Sequence, residues 1–314
     1  MNTFFIFASV FCGLQSSTEL KSPDPARQVD AIQKLMATAD DMSVDSIREL
    51  VVLLDDSTFE VKLTALQALK TVAHRSEPAA NAIVASLGDR LLSLEAEKCL
   101  ISLGASVKRP VINALQSGKD LPRTALYSVL ESMGPRARDG IPAIESGLAE
   151  KDLLTRVYAA KAIVAIDPSS KVIKSVLIAA LEDPSLQLRI TSAIALSRSI
   201  HFRREVKGHL LNLLFQKDAN INDRMQIAVA ISRLGNEAND VIPKLTEAFR
   251  SVEIVAQQFV IAGAIVMIDP VHKEAVEFLE NNSEYLDQLV RPSSDAIFQE
   301  FALRLRDRRE GERK

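Results

Sequence analysis

Apolar and polar positions alternate along most of the chain with a helical rather than an extended rhythm. Segment 172–200 shows one full period: VIKSVLIAAL, the turn Glu182-Asp183-Pro184-Ser185, then LQLRITSAIALSRSI. Apolar residues recur at helical spacing in both halves, which is the mark of two amphipathic helices. Asp183-Pro184 supplies the break between them, with proline pre-set for the first turn that follows. The segment is therefore predicted to be a helical hairpin.

The same frame returns elsewhere. Ile141-Pro142 and Ile242-Pro243 each open an apolar stretch, Asp167-Pro168 and Asp269-Pro270 each close one, and the two Asp-Pro pairs lie 102 residues apart, three times 34. A basic residue recurs at Lys62, Arg123, Arg156, Arg189 and Arg224, with Arg27 as an earlier member. Six positions later stands a compact residue (Ala68, Val129, Ala162, Ala195, Ala230) and seven later a large apolar one (Leu69, Leu130, Ile163, Leu196, Ile231). Eleven later come Gly134, Asp167 and Gly235, expected to take the left-handed turn that ends a helix. Ser93 and Gln258 replace the basic residue in two further units, which keep the remaining columns through Cys99, Leu100 and Gly104, and through Ala264, Ile265 and Asp269.

Seven hairpins are thus predicted over 45–270. A linker and capping half-repeat precede them at 21–44, and two closing helices with a charged tail follow at 271–314. A lone hairpin cannot bury its apolar face, so neighbours must stack into a continuous core.

Composition narrows the class. The 314 residues are 47% hydrophobic, contain no Trp, and carry 38 basic against 41 acidic side chains for a net charge of −3. That is too apolar for a disordered chain, too poor in Gly and strand formers for a sandwich or barrel, and without a bias toward nucleic acid or anionic lipid. Cys12 and Cys99 are too few for a disulfide framework or a zinc site.

Residues 4–14 (FFIFASVFCGL) form an apolar run that suits a signal-peptide core and falls short of the ~20 residues of a membrane span. Residues 1–20 are read as a leader directing export to the periplasm or outside, with small residues Ser16 and Ser17 near a cleavage point. The n-region lacks Lys or Arg. The alternative is an apolar helix docked on the first repeat, which would leave the protein cytoplasmic. No stable transmembrane span is expected.

Leu181, Asp183, Pro184, Leu188, Arg189, Ala193, Ala195 and Leu196 match most of the pattern LxDPxxxVRxxAAxALG. On those residues the chain resembles HEAT-like repeat proteins over about 225 of its 314 residues. The aromatic and Gly signature of tetratricopeptide repeats, which share the period, is missing. The resemblance implies an all-α, right-handed α-solenoid, and says little of function. Deoxyhypusine hydroxylases resemble this fold but hold di-iron through His-Glu dipeptides; here the histidines read His74-Arg75, His201-Phe202, His209-Leu210 and His272-Lys273. Phycobilin lyases also resemble such arrays. No Gly-rich phosphate loop, Gly-x-Ser-x-Gly or His-Glu-x-x-His occurs.

The basic column invites reading as an anion ladder. Asp56, Asp183 and Asp218, each six residues before Lys62, Arg189 and Arg224, favour instead acid–base fasteners between helices. Cys99, in a column of Ala and Val, is expected to be a packed small residue. His201 and His209 are separated by Gly208 and a repeat boundary, so no metal site is expected. The arginine-rich end, seven basic against five acidic residues over 291–314, reads as a solvated cap.

Offsets +2, +5 and +9 from the basic column should face solvent on each second helix. They are polar early (Thr64, Gln67, Thr71; Glu95, Lys98, Ser102) and mixed later (Tyr158, Lys161; Thr191, Ile194, Arg198; Gln226, Val229, Arg233; Val260, Gly263, Met267). Such a mixture is expected of a recognition surface. Tyr158, Lys161, Ile194, Arg198, Gln226, Val229 and Arg233 are the candidate contacts, with Tyr158, Arg198 and Arg233 as anchors. The expected function is a non-catalytic scaffold or adaptor that holds a protein or peptide on its concave face, without cofactor, metal or nucleic acid. The alternatives are a lyase or isomerase acting on a bulky cofactor such as a bilin, and a structural spacer.

Overall fold

The computed structural model describes residues 19–56, 58–118, 120–282 and 284; residues 1–18 of the predicted leader, and the closing segment beyond Asn282 apart from Glu284, lie outside this set. Among the described residues every regular element is helical, and none of the helices is long and apolar enough to cross a membrane. The chain forms two compact units, one ending at Glu150 and the other beginning at Lys151.

The first unit contains α1 (Pro25–Ala37), α2 (Val44–Asp56), α3 (Phe59–Val72), α4 (Glu77–Ala85), α5 (Ser93–Leu103), α6 (Lys108–Gln116), α7 (Arg123–Met133) and α8 (Ile141–Glu145). They pack as two rows. Helices α2, α4, α6 and α8 are successive neighbours in one, and α1, α3, α5 and α7 in the other. Hairpins α2–α3, α4–α5 and α6–α7 tie the rows together. This is the two-layer stacking of an α-solenoid. Between the rows lie fully buried apolar side chains such as Ile32, Leu50, Leu66, Leu69, Ile83 and Leu100, which no single hairpin could enclose.

The second unit contains α9 (Leu153–Ile166), α10 (Lys174–Ala180), α11 (Leu186–Arg198), α12 (Arg203–Leu214), α13 (Ile221–Ser232), α14 (Ile242–Ser251), α15 (Val255–Ile268) and α16 (Lys273–Asn281). The second helices α9, α11, α13 and α15 pack side by side. Ion pairs tie α10 to α12, Lys174 to Glu205 at 3.0 Å, and α12 to the turn ahead of α14, Arg204 to Glu237 at 2.8 Å and Lys207 to Asp240 at 2.6 Å. Arg250 and Glu274 join α14 to α16, where Phe249 also meets Phe278 edge to face at 5.2 Å between centroids. Six hairpins lie wholly within a unit. Helices α8 and α9, consecutive in the chain, fall on opposite sides of the boundary.

The ends follow local chemistry. The side chains of Asp24, Ser76, Asp152 and Ser185 accept backbone N–H groups of the first turns of α1, α4, α9 and α11. Asn220 and Asp223 form a reciprocal capping box on α13. Pro142 and Pro243 fall in the first turns of α8 and α14, as predicted. Pro184 lies just ahead of the Ser185 cap, one step before the helix rather than inside it.

At Gly104 and Gly134 ψ is −132° and −138°, not the left-handed helical value expected; what Gly104, Gly134 and Gly235, which end α5, α7 and the turn after α13, have in common is a positive φ of 56°, 55° and 57°. Asp167 and Asp269 do not share it. Their φ values are −134° and −121°. Each precedes a proline, whose ring clashes with a helical or left-handed predecessor and pushes it to extended backbone.

Candidate functional site

The basic column acts as a set of fasteners, by a different route from the one expected. Arg189 donates from Nη1 to the carbonyl oxygens of Asp183 and Pro184 at 2.7 and 2.9 Å, leaving the Asp183 carboxylate to accept the Ser185 N–H at 2.8 Å. Arg224 donates to the carbonyls of Leu214, Gln216 and Ala219 rather than to Asp218, and burial pulls its pKa down. Arg156 donates to the Lys151 carbonyl at 3.1 Å. Lys62 pairs with Asp89 at 2.8 Å, in the loop ahead of α5. These cations cap the carbonyls and carboxylates of the turns that join the helices, so little of the column is left to hold an exogenous anion.

In the second unit, Tyr158, Lys161, Arg198, Gln226 and Arg233 are half-buried on the second-helix row. The Lys161 ammonium lies 5.4 Å from the centroid of the Tyr158 ring, one helical turn back. Arg198 closes the last turn of α11, and Arg233 is the residue after α13.

The apolar members of the row are interior, which corrects the expectation for Ile194 and Val229. Their exposures are 8% and 3%, and Val260 and Met267 have 0% and 2%. Residues 192–197 of α11, 227–231 of α13 and 259–267 of α15 are buried without interruption. A helix turns 100° per residue, so five or more consecutive buried positions leave no solvent-facing side at that level. The +5 position therefore faces packed protein in α11, α13 and α15. The drift from polar to apolar along the column marks helices enclosed all round rather than a ridge for a partner.

The first unit shows the opposite. At the same +5 position Gln67 and Lys98 are exposed, and between α1, α3 and α5 the second-helix row opens into a groove of about 470 Å³. Met36, Leu63 and the edge of Cys99 provide its apolar part, above the buried Leu66, and Gln67, Lys70, Thr71, Glu95 and Lys98 its polar part. Lys98 and Glu95 pair at 2.7 Å, and the Thr71 hydroxyl donates to the Ala68 carbonyl at 2.7 Å. Lys70 makes no ion pair or hydrogen bond with any described residue. Burial pushes the Cys99 thiol up, with Lys70 acting in the opposite sense, so the thiol stays protonated at neutral pH. It packs as expected, here with one side toward the groove.

Beside the groove α5 carries an exposed strip of Leu94 and Ile101, 63% and 41% exposed, with Lys98 between them. Sequence reasoning passed over this region because its +2, +5 and +9 residues are polar. The available signal was the apolar pair Leu94 and Ile101, seven residues apart at offsets assigned neither to core nor to surface.

Among the described residues no group of three or more His, Cys, Asp and Glu side chains is placed to hold a metal ion. His209 lies 4.0 Å from Glu182, and the His201 ring meets Phe202 edge-on. The C-terminal arginines lie outside the described residues.

No protein-family model and no curated protein matches the chain. Among solved structures it is similar to an engineered protein at 18% identity and a TM-score of 0.40, covering 95% of this chain and 88% of that one. It is also similar to the complex of CpcE and CpcF of phycocyanin lyase from Nostoc sp. PCC7120, at 16% identity, TM-score 0.42 and coverage of 82% and 94%. Against Kap121p the identity is 11% and the TM-score 0.37, and the chain spans 41% of that protein's length. These likenesses are distant. The helical-repeat architecture is argued from the chain's own packing.

Proposed function

We propose that the chain is a non-catalytic protein-binding scaffold of the HEAT-like kind, which holds a protein or peptide against its second-helix row. The observation that carries this reading is the groove of about 470 Å³ between α1, α3 and α5, where an apolar lining and a mixed polar rim lie open in a row whose counterpart in the second unit is enclosed. Shallow apolar depressions edged by hydrogen-bonding groups suit extended chains or helix faces. The half-buried Tyr158, Lys161, Arg198, Gln226 and Arg233 offer a second, separate set of contacts in the unit from Lys151.

Photo-crosslinking from inside the cell tests the proposal. A benzoylphenylalanine replacing Gln67, in the groove, is expected to capture a discrete polypeptide that the same probe at Asn81, exposed on α4, does not. Equal capture from both positions, or a chromophore retained by the purified chain, would overturn it. Replacing Tyr158, Arg198 and Arg233 together by Ala is expected to weaken the captured partner's binding; unchanged binding would remove that row from the contact. Export is proposed on the leader-like run 4–14, and the mass of the native N-terminal peptide decides it.

A further inference from the structure

We infer that the groove between α1, α3 and α5 selects an acidic peptide, one that places a carboxylate on Lys70 and an adjacent apolar side chain against Met36, Leu63 and Cys99. The inference rests on the peptide-binding reading above and names the chemistry of its occupant.

Charge decides the occupant. Two lysines and one glutamate edge the groove. Glu95 is satisfied by Lys98 at 2.7 Å, whereas half-buried Lys70 has no ion pair or hydrogen bond among the described residues. A purely apolar occupant would strip water from the Lys70 ammonium and give nothing in return, which is unfavourable for a cation. A basic occupant would add like-charge repulsion in a partly dehydrated space. A backbone carbonyl of the occupant could accept a hydrogen bond from Lys70, but an anion accepts the same bond and also offsets the buried charge, so it gains the most from this desolvation.

The remaining groups narrow the anion's source. Gln67 is exposed at the edge and offers both a donor and an acceptor, which matches the alternating groups of a peptide backbone. Leu94 and Ile101 on α5 continue the apolar surface beyond Lys98, so a segment with apolar residues on both sides of its carboxylates finds a second foothold. A small free anion would use neither feature.

The test is a selection of random 12-residue peptides displayed on phage over the immobilised full chain. Selected peptides are expected to be enriched in Asp and Glu next to Leu, Met or Phe. Their affinity, measured by fluorescence anisotropy, is expected to fall at least tenfold in Lys70→Glu, less in Lys70→Gln, and to fall in Leu94→Ser. Should Lys70→Glu melt earlier than the parent, Lys70→Gln is the deciding variant. Acidic peptides indifferent to Lys70, or peptides enriched without acidic residues, would overturn this inference and leave the peptide-binding reading standing. No enrichment at all would overturn both.

Discussion

Arg224 donates from all three guanidinium nitrogens into a single turn, reaching the carbonyls of Leu214, Gln216 and Ala219. These acceptors belong to the end of α12 and the loop ahead of α13, so one side chain satisfies groups that helix geometry leaves orphaned. A lysine offers three donors on one point and cannot span them. Arg224→Lys is expected to cost about 1–3 kcal/mol in urea denaturation, close to the cost of Arg224→Ala, because carbonyls lose their partners in both. The recurrence of the basic residue was legible from the period alone. Its true acceptors were not, since a carbonyl oxygen is present at every residue and leaves no trace in the sequence. Asp89 carries a second residue-scale prediction. The Lys62 ammonium holds its carboxyl below the usual range, helped by the N–H groups of Leu91 and Leu92. A carboxyl depressed in the folded state adds stability that is present above its unfolded value and disappears as pH falls through the folded one. Asp89→Asn should therefore destabilise by about 1–2 kcal/mol at pH 7 and converge with the parent in acid, as read by melts across pH.

At the scale of the element, the helix ends show which punctuation the sequence reveals. Proline and glycine act through backbone sterics, so Pro142, Pro243, Gly104, Gly134 and Gly235 were readable. The aspartates before proline were misassigned because two local rules compete, and the clash with the proline ring prevails over the aspartate's tolerance of a left-handed turn. Gly104 isolates the backbone term: a Cβ there would meet nothing within 4 Å, while its φ is 56°. Gly104→Ala should lose about 1–3 kcal/mol by strain alone in equilibrium denaturation, and Gly104→Asn no less, because with ψ at −132° the backbone lies outside the left-handed helical region that Asn tolerates. The ion pairs across the first helices of the second unit form another element-scale device. Arg250 with Glu274 lies at the surface, so a double-mutant cycle with Ala is expected to show a small favourable coupling that vanishes by about 1 M NaCl. The packing of Phe249 on Phe278 should persist at that salt concentration.

For the molecule as a whole, the period announced stacked hairpins, because burying one face per hairpin demands a neighbour at each step. Periodicity could not say that the chain divides into units at Glu150 and Lys151, nor which rows stay open, since both depend on what lies against a helix rather than within it. Ile194 and Val229 have the same offset as Gln67 and Lys98, yet the first pair is buried and the second exposed. The cue was the company they keep: Ala193 and Ala195 flank Ile194, and Ala228 and Ala230 flank Val229, so the turns around these two residues are apolar on every side. Helix α15 carries this furthest, with no charged residue from Val255 to Ile268 and nine consecutive buried positions. It leaves the ribosome before α16, and for that interval has neither a polar side of its own nor its final covering helix. A message truncated just after Pro270 should yield chains that collect in the pellet through intermolecular association of this helix, while the full-length product stays in the supernatant. On that outcome the helix that completes the interior of the folded protein is also a hazard during synthesis, and α16, by covering it, acts for the nascent chain as an intramolecular chaperone.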